Sequence, residues 1–323
     1  MPRLILLIAA LSVAAFAQQP PPARSAPPAR PPIRRNAPGD SAPSFKVNVK
    51  LVNVFASVVD AEGAPYAGLR KEDFRIFEDA VEQKLAVFER ESALPLSIVM
   101  ALDTSLSTRK DLSLEVTSAR RFTRDILRPV DAISLFEFAT YVSQALPFTH
   151  DERRVELALD HLRTGPATAL YDAIYLGSQA LERRQGRKVI VLISDGGDTV
   201  SKADYPEALR AAQIAEAIIY SIIMVPIEAD AGRDTGGEHA LIQLSRDTGG
   251  RYYYATSVAQ LDEAFRQIGD ELRTQYLLGY YPINRAGPEF RRIRIELTAE
   301  AKQRAQRELS VRHRAGYYNS KIQ

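Results

Sequence analysis

From residue 96 to residue 274 the chain alternates between apolar runs and amphipathic stretches. The runs LSIVMALD, DAISLFEF and VIVLIS have the length and composition of strands buried on both faces. Between them, apolar positions return at helical spacing. Leu112, Val116, Ala119, Phe122 and Ile126 share one face, and Leu170, Ala173, Ile174, Gly177, Ala180 and Leu181 share another. Residues 142–145 predict a short antiparallel edge strand and 151–162 a helix. Residues 205–217 predict a helix, 218–225 a strand, and 240–248 a helix closed by Gly249-Gly250. Residues 251–255 predict the last strand of this region. Val258, Leu261, Phe265, Ile268 and Leu272 then form the buried face of a final helix. This alternation predicts an α/β fold, a doubly wound and mostly parallel sheet with flanking helices, over residues 94–274.

On either side the period changes to that of strands. In residues 45–93, Val47, Val49 and Leu51, then Val52 and Val54, alternate with a phase change that marks a bulge or bend. Phe74 and Ile76, then residues 84–89, predict two more strands, with Glu78-Asp79 near the turn. In residues 275–318, the stretches 275–281, 290–297 and 309–314 predict three. Together the flanks hold roughly six or seven strands, enough for a sandwich. The expectation is that they pair into one β-sandwich, with the α/β domain inserted between them. Two independent β extensions are the alternative.

Residues 18–44 are rich in Pro, Ala and Arg, cannot bury a core, and predict an extended, disordered tether. Residues 1–17 read as a signal peptide: Arg3, an apolar stretch over 4–13, then Ala15-Phe16-Ala17 as the cleavage signal. A membrane anchor is the other reading, but the run is short against the roughly 20 residues a spanning helix needs. No later run is long enough to span. Export to the periplasm or beyond is therefore expected.

Composition narrows the chemistry. The 323 residues contain no Cys, which excludes disulfides, iron–sulfur sites and thiol nucleophiles. A net charge of +2 predicts neither nucleic-acid binding nor strong membrane attraction. The four histidines, His150, His161, His239 and His313, are scattered and read as surface residues. There is no G-x-S-x-G elbow, Walker loop or H-E-x-x-H. The tyrosines at 252–254, 280–281 and 317–318 read as half core and half rim, with a binding surface as the alternative, and the arginines of residues 285–314 as a solvated sheet face, with contact to anionic polysaccharide or lipid as the alternative.

The strand at 96–103 ends in DTSLS. Asp103, Ser105 and Ser107 carry oxygens at alternate positions, at the sheet edge where open α/β folds bind ligands. Oxygen-only donors suit Mg²⁺, Mn²⁺ or Ca²⁺ rather than zinc or copper. DTSLS resembles the Asp-x-Ser-x-Ser signature of the von Willebrand factor A (integrin I-type) domain. The wider arrangement is similar to the secreted VWFA-related domain proteins of acidobacteria. The family's metal-ion-dependent adhesion site needs a Thr and a later Asp, and both have counterparts. These are Thr168 in TGPATALYDAI and Asp195 in VIVLISDGGD.

The resemblance implies that Ser105, Ser107 and Thr168 coordinate through hydroxyls, and Asp103 and Asp195 directly or through water. It implies Mg²⁺ (or Mn²⁺ or Ca²⁺) as cofactor and, as partner, a protein ligand whose carboxylate displaces a water. Leu106 takes a place often held by Gly. Asp198 reads as a neighbour of the ligand set or as a cap of the segment after it, and Asp172 as a helix residue. The expectation is an exported, non-enzymatic binding module whose partners include envelope components. A metal-dependent hydrolase using the same site, or a metal-free structural envelope component, are the alternatives.

Overall fold

The computed structural model describes residues 51–90, 93–106, 108, 112–225, 235–284 and 288–319. The expected signal peptide and tether, Val47, Val49 and Ser107 lie outside them. The first four strands are β1 (Val52–Asp60), β2 (Phe74–Glu78), β3 (Val81–Gln83) and β4 (Leu85–Arg90). The α/β region follows as β5 (Leu96–Asp103), α1 (Leu112–Ile126), β6 (Ala132–Phe138), β7 (Val142–Thr149), α2 (Glu152–Leu159) and α3 (Leu170–Glu182). It continues with β8 (Arg187–Ser194), α4 (Tyr205–Ala215), β9 (Ala217–Met224), α5 (Thr235–Thr248), β10 (Tyr252–Ala255) and α6 (Val258–Thr274). The chain then adds β11 (Tyr276–Tyr280), β12 (Phe290–Leu297), α7 (Ala299–Ala305), β13 (Leu309–His313) and β14 (Gly316–Tyr318).

The central sheet has the order β10-β9-β8-β5-β6-β7, parallel except for the antiparallel edge strand β7. Every residue of β5 is buried, because helices cover both faces. Ile98, Met100 and Leu102 enter one apolar layer with α1 and α6, where Phe122 and Phe265 stack at 4.7 Å. Val99 and Ala101 enter the opposite layer with α3 and α4. The helices start on side-chain caps where the sequence offers one. Asp204 accepts from Glu207 N–H in a reciprocal capping box, and Ser257 accepts from Gln260 N–H.

The two flanks contribute strands to the same sheets. One sheet runs β13-β1-β11-β4 and the other β14-β12-β2-β3. β1 pairs antiparallel with both β11 and β13, and β12 pairs with β2. Val54, Ala56, Ile76, Tyr276, Leu278 and Ile295 share the core between these sheets. The opposite face of β1 meets the α/β layer: Phe55 packs against the α1/α6 core. Beside it, Gln275 Nε2 donates to Ser57 Oγ at 3.2 Å and to the Tyr220 hydroxyl at 3.3 Å. The Tyr220 hydroxyl donates to Glu271 at 2.9 Å, and Arg312 pairs with the same carboxylate.

The structure differs from the sequence-based expectations in five places, the first being the added strand β14, which pairs with β12. The β2–β3 hairpin adds a strand, turning through Asp79 and Ala80 with φ of 46° and 68°. Asp79 sustains that conformation by accepting from Arg292 N–H at 3.0 Å and from Arg291 at 3.1 Å. Residues 299–305 form a helix between two strands, capped by Thr298. Arg291 is buried rather than solvated, because Glu78, Asp79 and the Asn284 carbonyl all accept from its guanidinium. His313 is not a surface residue. Its Nε2 accepts from Ile295 N–H at 3.0 Å and its Nδ1 lies 2.8 Å from the Arg314 carbonyl, which fixes a neutral ring.

Candidate functional site

β5 and β8 are parallel neighbours with Leu102 opposite Ile193, so Asp103 and Ser194 emerge side by side. Ser194 Oγ donates to Asp103 Oδ2 at 2.7 Å and accepts from Gly196 N–H at 3.1 Å. Asp103 Oδ1 accepts from Ser105 N–H at 2.9 Å. Thr108 Oγ1 donates to the Asp103 carbonyl at 2.8 Å and closes the turn. The Asp103 side chain is withdrawn from water, and burial is the largest cause that pushes its pKa up. Hydrogen bonds from Ser105 and Ser194 pull it down and the Asp195 charge pushes it up again, leaving it at about 6 against an ordinary 3.8.

The second loop is held to the first by backbone. Thr104 N–H donates to the Phe138 carbonyl at 2.8 Å, and Gly165 N–H donates to the Thr104 carbonyl at 3.2 Å. Ser105 and Gly165 form an isolated parallel bridge. Gly is required at this approach, since a Cβ on Gly165 would stand 2.9 Å from Ala139 Cβ.

The third loop is latched to the second. Thr168 N–H donates to Thr199 Oγ1 at 2.9 Å, and the Thr168 carbonyl accepts from Thr199 N–H at 2.9 Å and Val200 N–H at 3.2 Å. Asp198 Oδ1 accepts from Leu170 N–H at 2.8 Å, Tyr171 N–H at 3.3 Å and Ser201 Oγ at 2.5 Å. It thereby caps α3, whose adjoining Ala169 has no side chain able to do so. Asp172 returns the contact by accepting from Lys202 N–H at 3.1 Å and Ala203 N–H at 2.8 Å.

Asp103, Ser105, Thr168 and Asp195 thus stand on three adjoining loops at the carboxyl edge of the central sheet, while Ser107 lies outside the described residues. Among the described residues neither carboxylate forms an ion pair, and no three His, Cys, Asp or Glu side chains gather anywhere. The donor set is two carboxylates and neutral hydroxyls. A buried carboxylate beside a second one is a chemical environment that a hard divalent cation fits. Sequence reasoning missed Ser194, which comes into contact only through the β5/β8 register. Of the two readings of Asp198, the structure departs from the cap of the following segment: its carboxylate caps α3, beside Thr168, and takes only the Ser201 hydroxyl from the segment after it.

Residues 98–197 match the family model described as the von Willebrand factor type A domain. No curated protein matches the chain. Among solved structures, the chain is similar to the conserved hypothetical protein BatB from Bacteroides thetaiotaomicron. That likeness is 19% identical, covers 55% of this chain and 100% of that one, and has a TM-score of 0.45. The vWF domain of the type V pili tip protein Mfa5 from Porphyromonas gingivalis is 15% identical, covering 55% of this chain and 95% of that one, with a TM-score of 0.45. The PilB minor pilin from Streptococcus sanguinis is 12% identical, covering 56% of this chain and 62% of that one, with a TM-score of 0.45.

Proposed function

We propose that this chain, with a von Willebrand factor type A domain at its centre, is an exported, non-enzymatic binding module that grips an acidic residue of a partner protein. The observation that carries this reading is the convergence of three loops on a buried Asp103 carboxylate whose charge is opposed by Asp195. Asp103, Ser105, Ser107, Thr168 and Asp195 would hold Mg²⁺, Mn²⁺ or Ca²⁺. A cation bound there supplies one outward position for an anionic ligand. Ser194 and Ser105 orient the Asp103 carboxylate, and the Asp198–Thr199 latch fixes where Thr168 stands. Two carboxylates balance a divalent charge without surplus, so the centre keeps attraction for one more carboxylate.

Binding rather than catalysis is favoured because the DTSLS, TGPAT and SDGGD loops contain no His, Lys or Cys to serve as general base or nucleophile. Export is read from residues 1–17. Among the described residues no helix is long and apolar enough to cross a membrane.

The test is thermal unfolding in Mg²⁺, Mn²⁺ or EDTA, for the wild type and Asp195→Ala. Saturation at a hundredfold excess over Kd is worth about 2.7 kcal/mol by mass action. The wild type should melt higher in metal and the variant should not. No metal response would remove the reading and leave a structural envelope role. A metal response with turnover of a generic phosphoester or ester, lost in Asp195→Ala, would replace binding with hydrolysis.

A further inference from the structure

The SDGGD loop is fixed on one side by Asp103, and a second contact fixes its other side. Ser194 Oγ donates to Asp103 and accepts from Gly196 N–H. Asp195 Oδ1 accepts from Gly197 N–H at 3.1 Å, while its Oδ2 accepts from none of the described residues. The next residue, Gly196, has a φ of 96° and lies backbone to backbone on Gly237 in the first turn of α5. A Cβ on Gly237 would stand 1.9 Å from the Gly196 carbonyl oxygen and 2.4 Å from its carbon. A Cβ on Gly196 would stand 2.7 Å from the Gly237 carbonyl carbon and 2.8 Å from Glu238 N. Neither position has room for a side chain.

That turn of α5 is itself held in place. Glu238 is buried and accepts from the Tyr254 hydroxyl of β10 at 3.3 Å. Leu241 and Leu244 enter the apolar layer that β8 and β9 share. Since β9 lies on one side of β8 and β5 on the other, α5 meets the loop from the side away from Asp103. The size of the misfit shows what the contact does. Ordinary contact begins at 3.4 Å, so a methyl group on Gly237 would force one of the two backbones back by about 1.5 Å. Metal–ligand distances in a well-formed site hold to within roughly 0.2 Å. Asp195 is bonded directly to the residue that would move.

We infer that Gly237 is a positioning residue for the cation centre: its backbone crossing with Gly196 sets the Asp195 carboxylate against Asp103. Gly237 has no side chain to offer a metal, so it acts through the Gly196 backbone alone. Mg²⁺ demands near-ideal octahedral geometry, whereas Ca²⁺ accepts an irregular shell. A loop displaced at Gly196 therefore costs Mg²⁺ more than Ca²⁺. The inference rests on the cation-dependent reading proposed above and adds α5 to what shapes that centre.

The experiment is isothermal titration of the whole protein with Mg²⁺ and with Ca²⁺, for the wild type, Gly237→Ala and Gly249→Ala. Gly249 is a crowded glycine at the other end of the same helix, with a φ of 85° and Arg314 N 2.4 Å from where a Cβ would stand. Its variant therefore reports damage to the fold alone. Gly237→Ala should bind Mg²⁺ roughly tenfold more weakly or worse, the loss usual when a support behind a metal ligand is disturbed, and should lose less for Ca²⁺. Gly249→Ala should melt lower in EDTA and keep its Mg²⁺ affinity. Tyr254→Phe removes the hydroxyl that holds the same turn without crowding any backbone, and should weaken Mg²⁺ binding about threefold, the worth of one neutral hydrogen bond. Unchanged Mg²⁺ affinity in Gly237→Ala or, should that variant not fold, in Tyr254→Phe would overturn the inference. So would a loss as large for Ca²⁺ as for Mg²⁺, or an equal loss of Mg²⁺ in Gly249→Ala. A wild type that binds neither cation would instead remove the cation reading itself, and this inference with it.

Discussion

Replacing Asp103 by Asn should stabilise the metal-free protein while abolishing its response to metal. Burial and the neighbouring Asp195 raise the Asp103 pKa from 3.8 to about 6. At 1.36 kcal/mol per pKa unit, the ionised carboxylate costs the folded state about 3 kcal/mol. That cost is fully present above pH 6, about halved at pH 5, and gone below the unfolded value, because between the two pKa values the folded state binds the extra proton. Asn is nearly isosteric, and its Oδ1 can still accept from Ser105 N–H. Its amide group faces Ser194 Oγ, whose proton loses the acceptor it has now, at a cost of about 1 kcal/mol. The net gain is about 2 kcal/mol at pH 8, or about 4–8 °C in melting temperature for a folded region of this size. The assay is scanning calorimetry in EDTA at pH 8, 6 and 4, with a parallel scan in Mg²⁺. In EDTA the variant should lead the wild type at pH 8 and lose that lead by pH 4. In Mg²⁺ only the wild type should gain. A variant that melts several degrees below the wild type in EDTA at pH 8 would refute the electrostatic reasoning.

Other expectations test the scaffold around the site. Asp198→Ala removes the cap of α3 and should cost about 1–2 kcal/mol of stability, with weaker Mg²⁺ affinity by calorimetric titration, while Asp198→Asn should recover much of both. His313 has its pKa lowered by burial, so it folds neutral, and folding should weaken as pH falls below the ordinary value of 6.5. His313→Gln should flatten that part of the pH–stability curve when compared by urea unfolding. Arg312→Ala strands the buried Glu271 carboxylate between the α/β layer and β13, and should destabilise by about 3–5 kcal/mol. Unfolding of that variant should remain one transition if the two layers melt together, as a calorimetric trace can show.

Much of the central architecture was legible because each element of the α/β region declares itself locally. Strand cores such as residues 189–193 are apolar throughout, since both faces are covered, and the helices keep one apolar stripe. Asp103 and Asp195 stood out because each follows an apolar run, whereas Thr168 was found only through the resemblance to the family's motif. What stayed hidden depends on contacts distant in sequence. Ser194 looks like the last residue of a strand until the register sets it against Asp103. Asp198 finds its helix across 28 residues. The β2–β3 turn lacks the Gly that a pair of positive φ angles usually demands, so Glu78-Asp79 marked a turn but not the tight hairpin that adds β3. Arg291 and His313 stand on the inner faces of β12 and β13, in phase with Ile293, Ile295 and Leu297 and with Leu309 and Val311, and their polar side chains disguise that phase in the sequence.

The most direct measurement is anomalous diffraction from a crystal of the protein soaked in Mn²⁺, with data collected at the manganese edge. The account predicts one strong peak enclosed by Asp103, Ser105, Ser107, Thr168 and Asp195. No peak there, or manganese bound only elsewhere on the molecule, would contradict it.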